Sequence, residues 1–241
     1  MGRMRGLLSA AALVLAACSA PPELAEDILP PARSVTRAEV RQIAHAYATL
    51  RWNGERRMRM HGNDPQGLRV DTPDAAHDDM DWRFWWTLGG NVGMPYKWGG
   101  FDTPREFLHR LHNDATVYAG DYASPTKIAG GDNAVSRYAA GIDCSGFVSR
   151  CWRLERPYST RELAALCRPL SSVDELQPGD IMLLPGVHVW LFMRWVEPEH
   201  RHMVIVESGG VPEWKCACKS VDTQHFLDEG YRPYRYLRIR E

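Results

Sequence analysis

The run Gly141-Ile142-Asp143-Cys144-Ser145-Gly146-Phe147-Val148 sets the strongest constraint on what this chain can become. Cys144, Phe147, Val148 and Cys151 fall at i, i+3, i+4 and i+7, one face of a 3.6-residue repeat, so the spacing predicts a short helix with a buried side. Gly141 breaks whatever precedes it, and Asp143 can cap the helix by accepting from a free first-turn N–H. A thiol in that first turn sits at the positive end of the helix dipole, where a thiolate is favoured and can attack a carbonyl. A core helix carrying an inert buried cysteine has the same local sequence, so the chemistry of Cys144 depends on its partners.

Those partners are sought in the apolar runs that follow. Leu176-Gln177-Pro178-Gly179-Asp180 turns the chain into Ile181–Leu184, a continuous apolar run of the kind buried strands show. After Pro185-Gly186 a second strand is predicted from His188 to Trp195, with His188, Trp190 and Phe192 on one face. Met203 to Glu207 is a third, in which Met203, Ile205 and Glu207 share a face. If residues 196–199 make the hairpin turn, His188 falls directly opposite Glu207, close enough for a carboxylate to hold an imidazole N–H.

The start of the chain carries a different message. Arg3 and Arg5, an apolar run from Leu7 to Ala17, and then Leu15-Ala16-Ala17-Cys18-Ser19 form a segment too short to span a bilayer but built like a secretory signal. Leu-Ala-Ala-Cys resembles the bacterial lipobox, which implies a signal peptide over 1–17 and lipidation of Cys18. Ser19 then resembles lipoproteins sent to the outer membrane. Residues 18–35, with several prolines and charges, read as a tether, leaving 36–241 for a single catalytic domain. Net charge is −1; losing residues 1–17, which hold Arg3 and Arg5 and no acid, takes it to −3. Nothing in that balance suits nucleic acid as a partner.

Between tether and cysteine, Thr36-Arg37-Ala38-Glu39 has the form of a capping box and opens a helix to about Arg51. Residues 52–80 read as loops with at most short strands, and Asp81–Trp86 as an aromatic helix face in the core. In Tyr96-Lys97-Trp98-Gly99-Gly100 the glycines permit a turn few other residues can make, and Tyr96 brings a phenol able to donate a hydrogen bond. Thr103-Pro104-Arg105-Glu106 starts another helix, with Phe107, Leu108 and Leu111 as its apolar side. His109 and His112 on it lack a third ligand, so no metal is expected, and no cofactor. Residues 114–140 read as a long loop. Ser159-Thr160-Arg161-Glu162 opens a helix to about Cys167, Ser220–Asp228 a short helix, and Tyr231–Arg240 an edge strand.

Tyr-Lys-Trp-Gly-Gly, Asp-Cys-Ser-Gly-Phe-Val, and Pro-Gly-Asp-Ile followed by a strand-borne His-Val together resemble the NlpC-type papain-like cysteine peptidases of bacterial cell walls, over about residues 82–210. The resemblance implies a papain-like α+β fold, with the cysteine helix packed on an antiparallel sheet. It implies hydrolysis of peptidoglycan stem peptides, commonly between γ-D-glutamate and a diamino acid; the lipobox resemblance adds membrane contact through the N-terminal lipid. Position by position, Cys144 matches the nucleophile, His188 the base and Glu207 the third polar residue. Tyr96 matches the tyrosine beside the nucleophile, and Asp143 and Ser145 match side chains lining the substrate site, to which Trp98 and Trp190 are added here. Glu207 stands where the family usually has histidine, Trp190 where a glycine usually follows His-Val, and residues 101–142 form an inserted segment with both ends at the site.

Other chemistry fits the same residues. An amidase or acyltransferase acting on a substrate other than peptidoglycan would use the same pair, and a lipoprotein that only binds cell-wall peptides would share the fold. Of the six cysteines, four remain once Cys18 and Cys144 are assigned, and four allow three connectivities, none of which the spacing selects.

Overall fold

Valine, isoleucine, methionine and tryptophan crowd the runs His188–Trp195 and His202–Ser208, and these two strands pair inside the main sheet with most of their residues buried. The computed structural model describes residues 30–74, 85–209 and 213–241. In chain order its elements are β1 (Val35–Thr36), α1 (Arg37–Ala48), β2 (Arg51–Gly54), β3 (His61–Asn63), β4 (Arg69–Asp71), β5 (Gly89–Val92), α2 (Pro104–Asn113), β6 (Tyr118–Ala119) and α3 (Pro125–Gly130). They continue as β7 (Ala139–Ala140), α4 (Cys144–Cys151), α5 (Thr160–Ala165), β8 (Cys167–Pro169), β9 (Ile181–Leu184), β10 (His188–Trp195), β11 (His202–Ser208), β12 (Cys216–Asp222), α6 (Thr223–Asp228), β13 (Arg232–Tyr236) and β14 (Ile239–Arg240). The fold is mixed helix and sheet, consistent with the α+β class. The expected signal peptide, Cys18, most of the tether, and Asp81 to Phe84 lie outside the described residues.

Helix starts follow the local sequence closely. Reciprocal capping boxes open α1 (Thr36 with Glu39), α2 (Thr103 with Glu106) and α5 (Ser159 with Glu162), and Asp143 caps α4. The main sheet is antiparallel, in the order β12-β11-β10-β9-β13-β8. On one of its faces Val189, Leu191, Val204 and Val206 meet Phe147, Val148 and Cys151 of α4, with Tyr47 of α1 edge-on to Phe147 at 5.5 Å. Each large side chain fully buried there contributes about 1.5–3 kcal/mol. On the opposite face Trp190, Phe192, Met203 and Ile205 form a second core with Phe226 of α6 and Tyr231.

Several expectations need correction. The segment from Tyr231 to Arg240 is not one edge strand: β13 is paired on both sides, by β9 and β8, and β14 separately pairs β1. Ser220 to Asp222 belong to the edge strand β12, so α6 starts later, capped by Asp222. Trp85 and Trp86 are buried but not helical; Trp86 bridges Asp74 and packs edge-on to Trp52 at 5.4 Å. Residues 114–140 are not a plain loop, since they hold α3 and the parallel β6–β7 pair. Phe107 and Leu111 seat α2 in the main core, so the first half of the inserted segment is part of the body.

Candidate active site

The two sequence motifs meet through backbone. Asp143 N–H donates to Gly100 O at 3.2 Å, and Tyr96 and Phe101 each bridge Ile142. Gly146, inside α4, lies so close to this turn that a Cβ on it would fall 2.2 Å from Gly100 O. Only glycine permits that approach, and it holds the first turn of α4 against the Tyr96–Gly100 segment. Asp143 caps the turn by accepting from Gly146 N at 2.6 Å and from the Ser145 hydroxyl at 3.1 Å. Burial raises the Asp143 carboxyl, with these bonds opposing it. Asp143 and Ser145 are thus engaged with each other at the mouth of the helix.

Cys144, at the head of α4, is 7 % exposed and lies against the His188 ring at the first position of β10. His188 Nε2 is 2.5 Å from Glu207 Oε2. With that nitrogen taken, Nδ1 is the one left to serve the thiol. Burial opposes a charge on His188, yet the charge and hydrogen bond of Cys144, with those of Glu207, raise the imidazole from 6.5 to about 10. Glu207 is 1 % exposed; burial pushes its carboxyl up, but His188 and the Lys219 ammonium hold it below the ordinary 4.5. A thiol, an imidazole and a carboxylate therefore stand in line, an order that suits proton transfer to and from sulfur.

The register differs from expectation. Leu191 pairs Val206 and Phe192 pairs Ile205, with a bulge between Phe192 and Arg194. Continued toward the start of β10, that register sets Trp190 across from Glu207 and leaves His188 diagonal to it. A glutamate is long enough to span the diagonal. The connection, residues 196–201, is longer than the expected turn, with His200 at φ 56°.

Tyr96 is buried beside Cys144 and Asp143, whose charges, after burial itself, push its phenol well above 10. Trp98 points its indole N–H at Gly131 O, 2.9 Å away, and so fastens the inserted segment to the Gly99-Gly100 turn. Trp190 belongs to the second core: its ring lies 3.6 Å from that of Phe226 and 6.0 Å, edge-on, from His188. Sequence reasoning missed two residues here. Lys219 contacts Glu207, and Trp214 sits edge-on to Tyr96 at 5.2 Å while its carbonyl accepts the Tyr96 N–H at 2.8 Å. Neither lies in a motif, and Lys219 shares the Glu207 face only through the β11–β12 register, in which Ile205 pairs Lys219. Among the described residues no group of three or more His, Cys, Asp or Glu side chains is placed to hold a metal ion, and His109 and His112 are exposed. Nor, among them, is any helix long and apolar enough to cross a membrane.

No family model matches the chain, and a search of the curated proteins finds no match either.

Proposed function

We propose that this chain is a papain-like cysteine peptidase of the NlpC type. It hydrolyses peptidoglycan stem peptides at the bond between γ-D-glutamate and a diamino acid, from a lipid anchor at Cys18 on the periplasmic face of the outer membrane. The observation that carries this reading is His188 held between Cys144 and Glu207. The resemblance of the three motifs supplies the substrate class.

In this reading His188 accepts the Cys144 proton and the sulfur attacks the amide carbonyl carbon. The tetrahedral oxyanion is met by backbone N–H at the head of α4, with the Tyr96 hydroxyl beside it. The imidazolium protonates the leaving amine, the C–N bond breaks, and a thioester remains on Cys144. Water, deprotonated by His188, then attacks the thioester and frees the carboxylate and the thiol. Glu207 orients the ring and stabilises its charged form. Asp143, Ser145, Trp98 and Trp190 shape the surroundings of the pair and so the choice of peptide.

Digestion of purified sacculi, followed by mass spectrometry of the fragments, tests the proposal. The expected products carry a new amino terminus on the diamino acid. Transfer of the acyl group to another amine instead of water would favour the acyltransferase alternative. Saturable binding of muropeptides by a chain that cuts none of them would favour the non-catalytic one.

A further inference from the structure

Glu207 is unusual among the groups of the site because both its oxygens are taken by side chains from flanking strands. On one side β10 offers His188 to Oε2; on the other, β12 offers Lys219 to Oε1. The registers make this arrangement systematic: Ile205 pairs Phe192 on β10 and Lys219 on β12, and Glu207 pairs Ala217. Parity then sets His188, Glu207 and Lys219 on one face, with Glu207 diagonal to each neighbour. Lys219 also reaches Glu213 Oε2 at 3.1 Å, and its ammonium lies 5.8 Å from the Trp190 ring centroid. Next to Glu213 is Trp214, whose backbone is in the left-handed region at φ 46° and whose ring abuts Tyr96. The contacts thus close a circuit from His188 through Glu207, Lys219, Glu213 and Trp214 to Tyr96 beside Cys144.

We propose that Lys219 is a positioning residue for the reacting pair: its ammonium keeps the Glu207 carboxylate ionised and aimed at His188, and through Glu213 it anchors the segment that carries Trp214 onto Tyr96. A buried carboxylate facing one imidazole would otherwise carry a large desolvation cost, and the shared proton would drift toward the acid. The second cation removes that tendency. The groups that bear on Glu207 are His188 from β10, Lys219 and Cys216 from β12, and Tyr231 after α6; Cys144 of α4 acts through His188. Cys216 and Tyr231 both have their ordinary proton held more tightly by burial and by Glu207, so neither competes for its charge.

The inference rests on the peptidase reading for its purpose but is measured without substrate. Carboxyl 13C NMR of the full chain, with Glu207→Gln assigning the resonance, follows the protonation of Glu207. Lys219→Met is expected to move that titration upward by about one pH unit, and Lys219→Arg to return it. On a peptide that the wild-type chain cleaves, Lys219→Met lowers kcat about tenfold with KM little changed, because Lys219 acts through Glu207 on the base and not on the bound substrate. Lys219 lies on an edge strand and its side chain is 24 % exposed, so Lys219→Gln replaces the methionine variant if that one does not fold. An unchanged Glu207 titration in a folded Lys219 variant overturns the proposal. A wild-type chain that cleaves nothing, together with an upward Glu207 titration in the Lys219 variant, overturns the peptidase reading and leaves this one standing.

Discussion

Glu207 stands diagonal to His188 across the β10–β11 ladder and still brings Oε2 to 2.5 Å from Nε2. The diagonal placement makes the contact depend on side-chain length. Under the proposed reaction Glu207 orients the base without itself transferring the proton. His188→Ala is expected to lower kcat by about 10³-fold or more, and Glu207→Ala by about 10²-fold. Glu207→Asp should recover little, since the shorter acid falls short of the diagonal. Steady-state kinetics on a stem peptide checks the order; a larger loss in the Glu207 variant would mean that the carboxylate does more than orient.

Alkaline pH should switch the site off late. His188 is raised from 6.5 to about 10, burial being outweighed by Cys144 and Glu207. A group held above its ordinary value keeps its proton through neutrality, so whatever depends on the imidazolium persists below about 10 and is lost as pH rises through it. The same sign applies to stability: its contribution is complete below 6.5, declines above that, and is gone past about 10. Glu207→Gln removes the negative charge beside the ring, so the alkaline limb of kcat/KM should move to lower pH. A limb that stays in place would show that Glu207 does not support the charge on His188.

Removal of the sulfur separates chemistry from folding. Cys144 is a small side chain at a helix start, so Cys144→Ala costs about 1–3 kcal/mol or less and leaves the fold intact. Hydrolysis should be abolished. Circular dichroism and thermal melting establish the fold, and residual turnover at the wild-type rate would end the thiol mechanism.

What the sequence made legible was local chemistry, and what it hid was pairing over distance. The three capping boxes and the Asp143 cap each lie within four consecutive residues, so their bonds can be read directly. The strands His188–Trp195 and Met203–Glu207 are legible for the same reason, through period-two faces. Their register is not, because the bulge after Phe192 and the 196–201 connection shift it by amounts that no residue type announces. The role of Gly146 was likewise hidden: inside a helix it reads as a weak position, and only Gly100 O at its back explains it. Lys219 went unnoticed since its partner comes from another strand, and β13 looked like an edge because the alternation of arginine with apolar residues says nothing about how many neighbours it has.

The inserted segment offers the sharpest test of how the site is held. Its two ends are at the site, and the expectation for such a segment is a cover. Its inner residues are nonetheless tied into the body. Asp121 and Lys127 form a fully buried ion pair at 2.6 Å, Asp121 Oδ1 accepts the Asp71 N–H at 3.0 Å, and Ser136 donates to Asp64 at 2.6 Å. Burial raises the Asp121 carboxyl to about 6, with Lys127 as the chief restraint. Removing one partner strands the other charge in a dry interior, so Asp121→Ala should cost about 3–5 kcal/mol, whereas the apolar pair Asp121→Leu with Lys127→Met should recover much of it. Urea unfolding measures both. Asp121 N–H donates to Tyr96 O at 2.9 Å, so a shift of this backbone around the stranded Lys127 also moves Tyr96, and the single variant should lose activity out of proportion to its unfolded fraction. If the single and double variants are equally stable, the buried pair does not hold the segment in place.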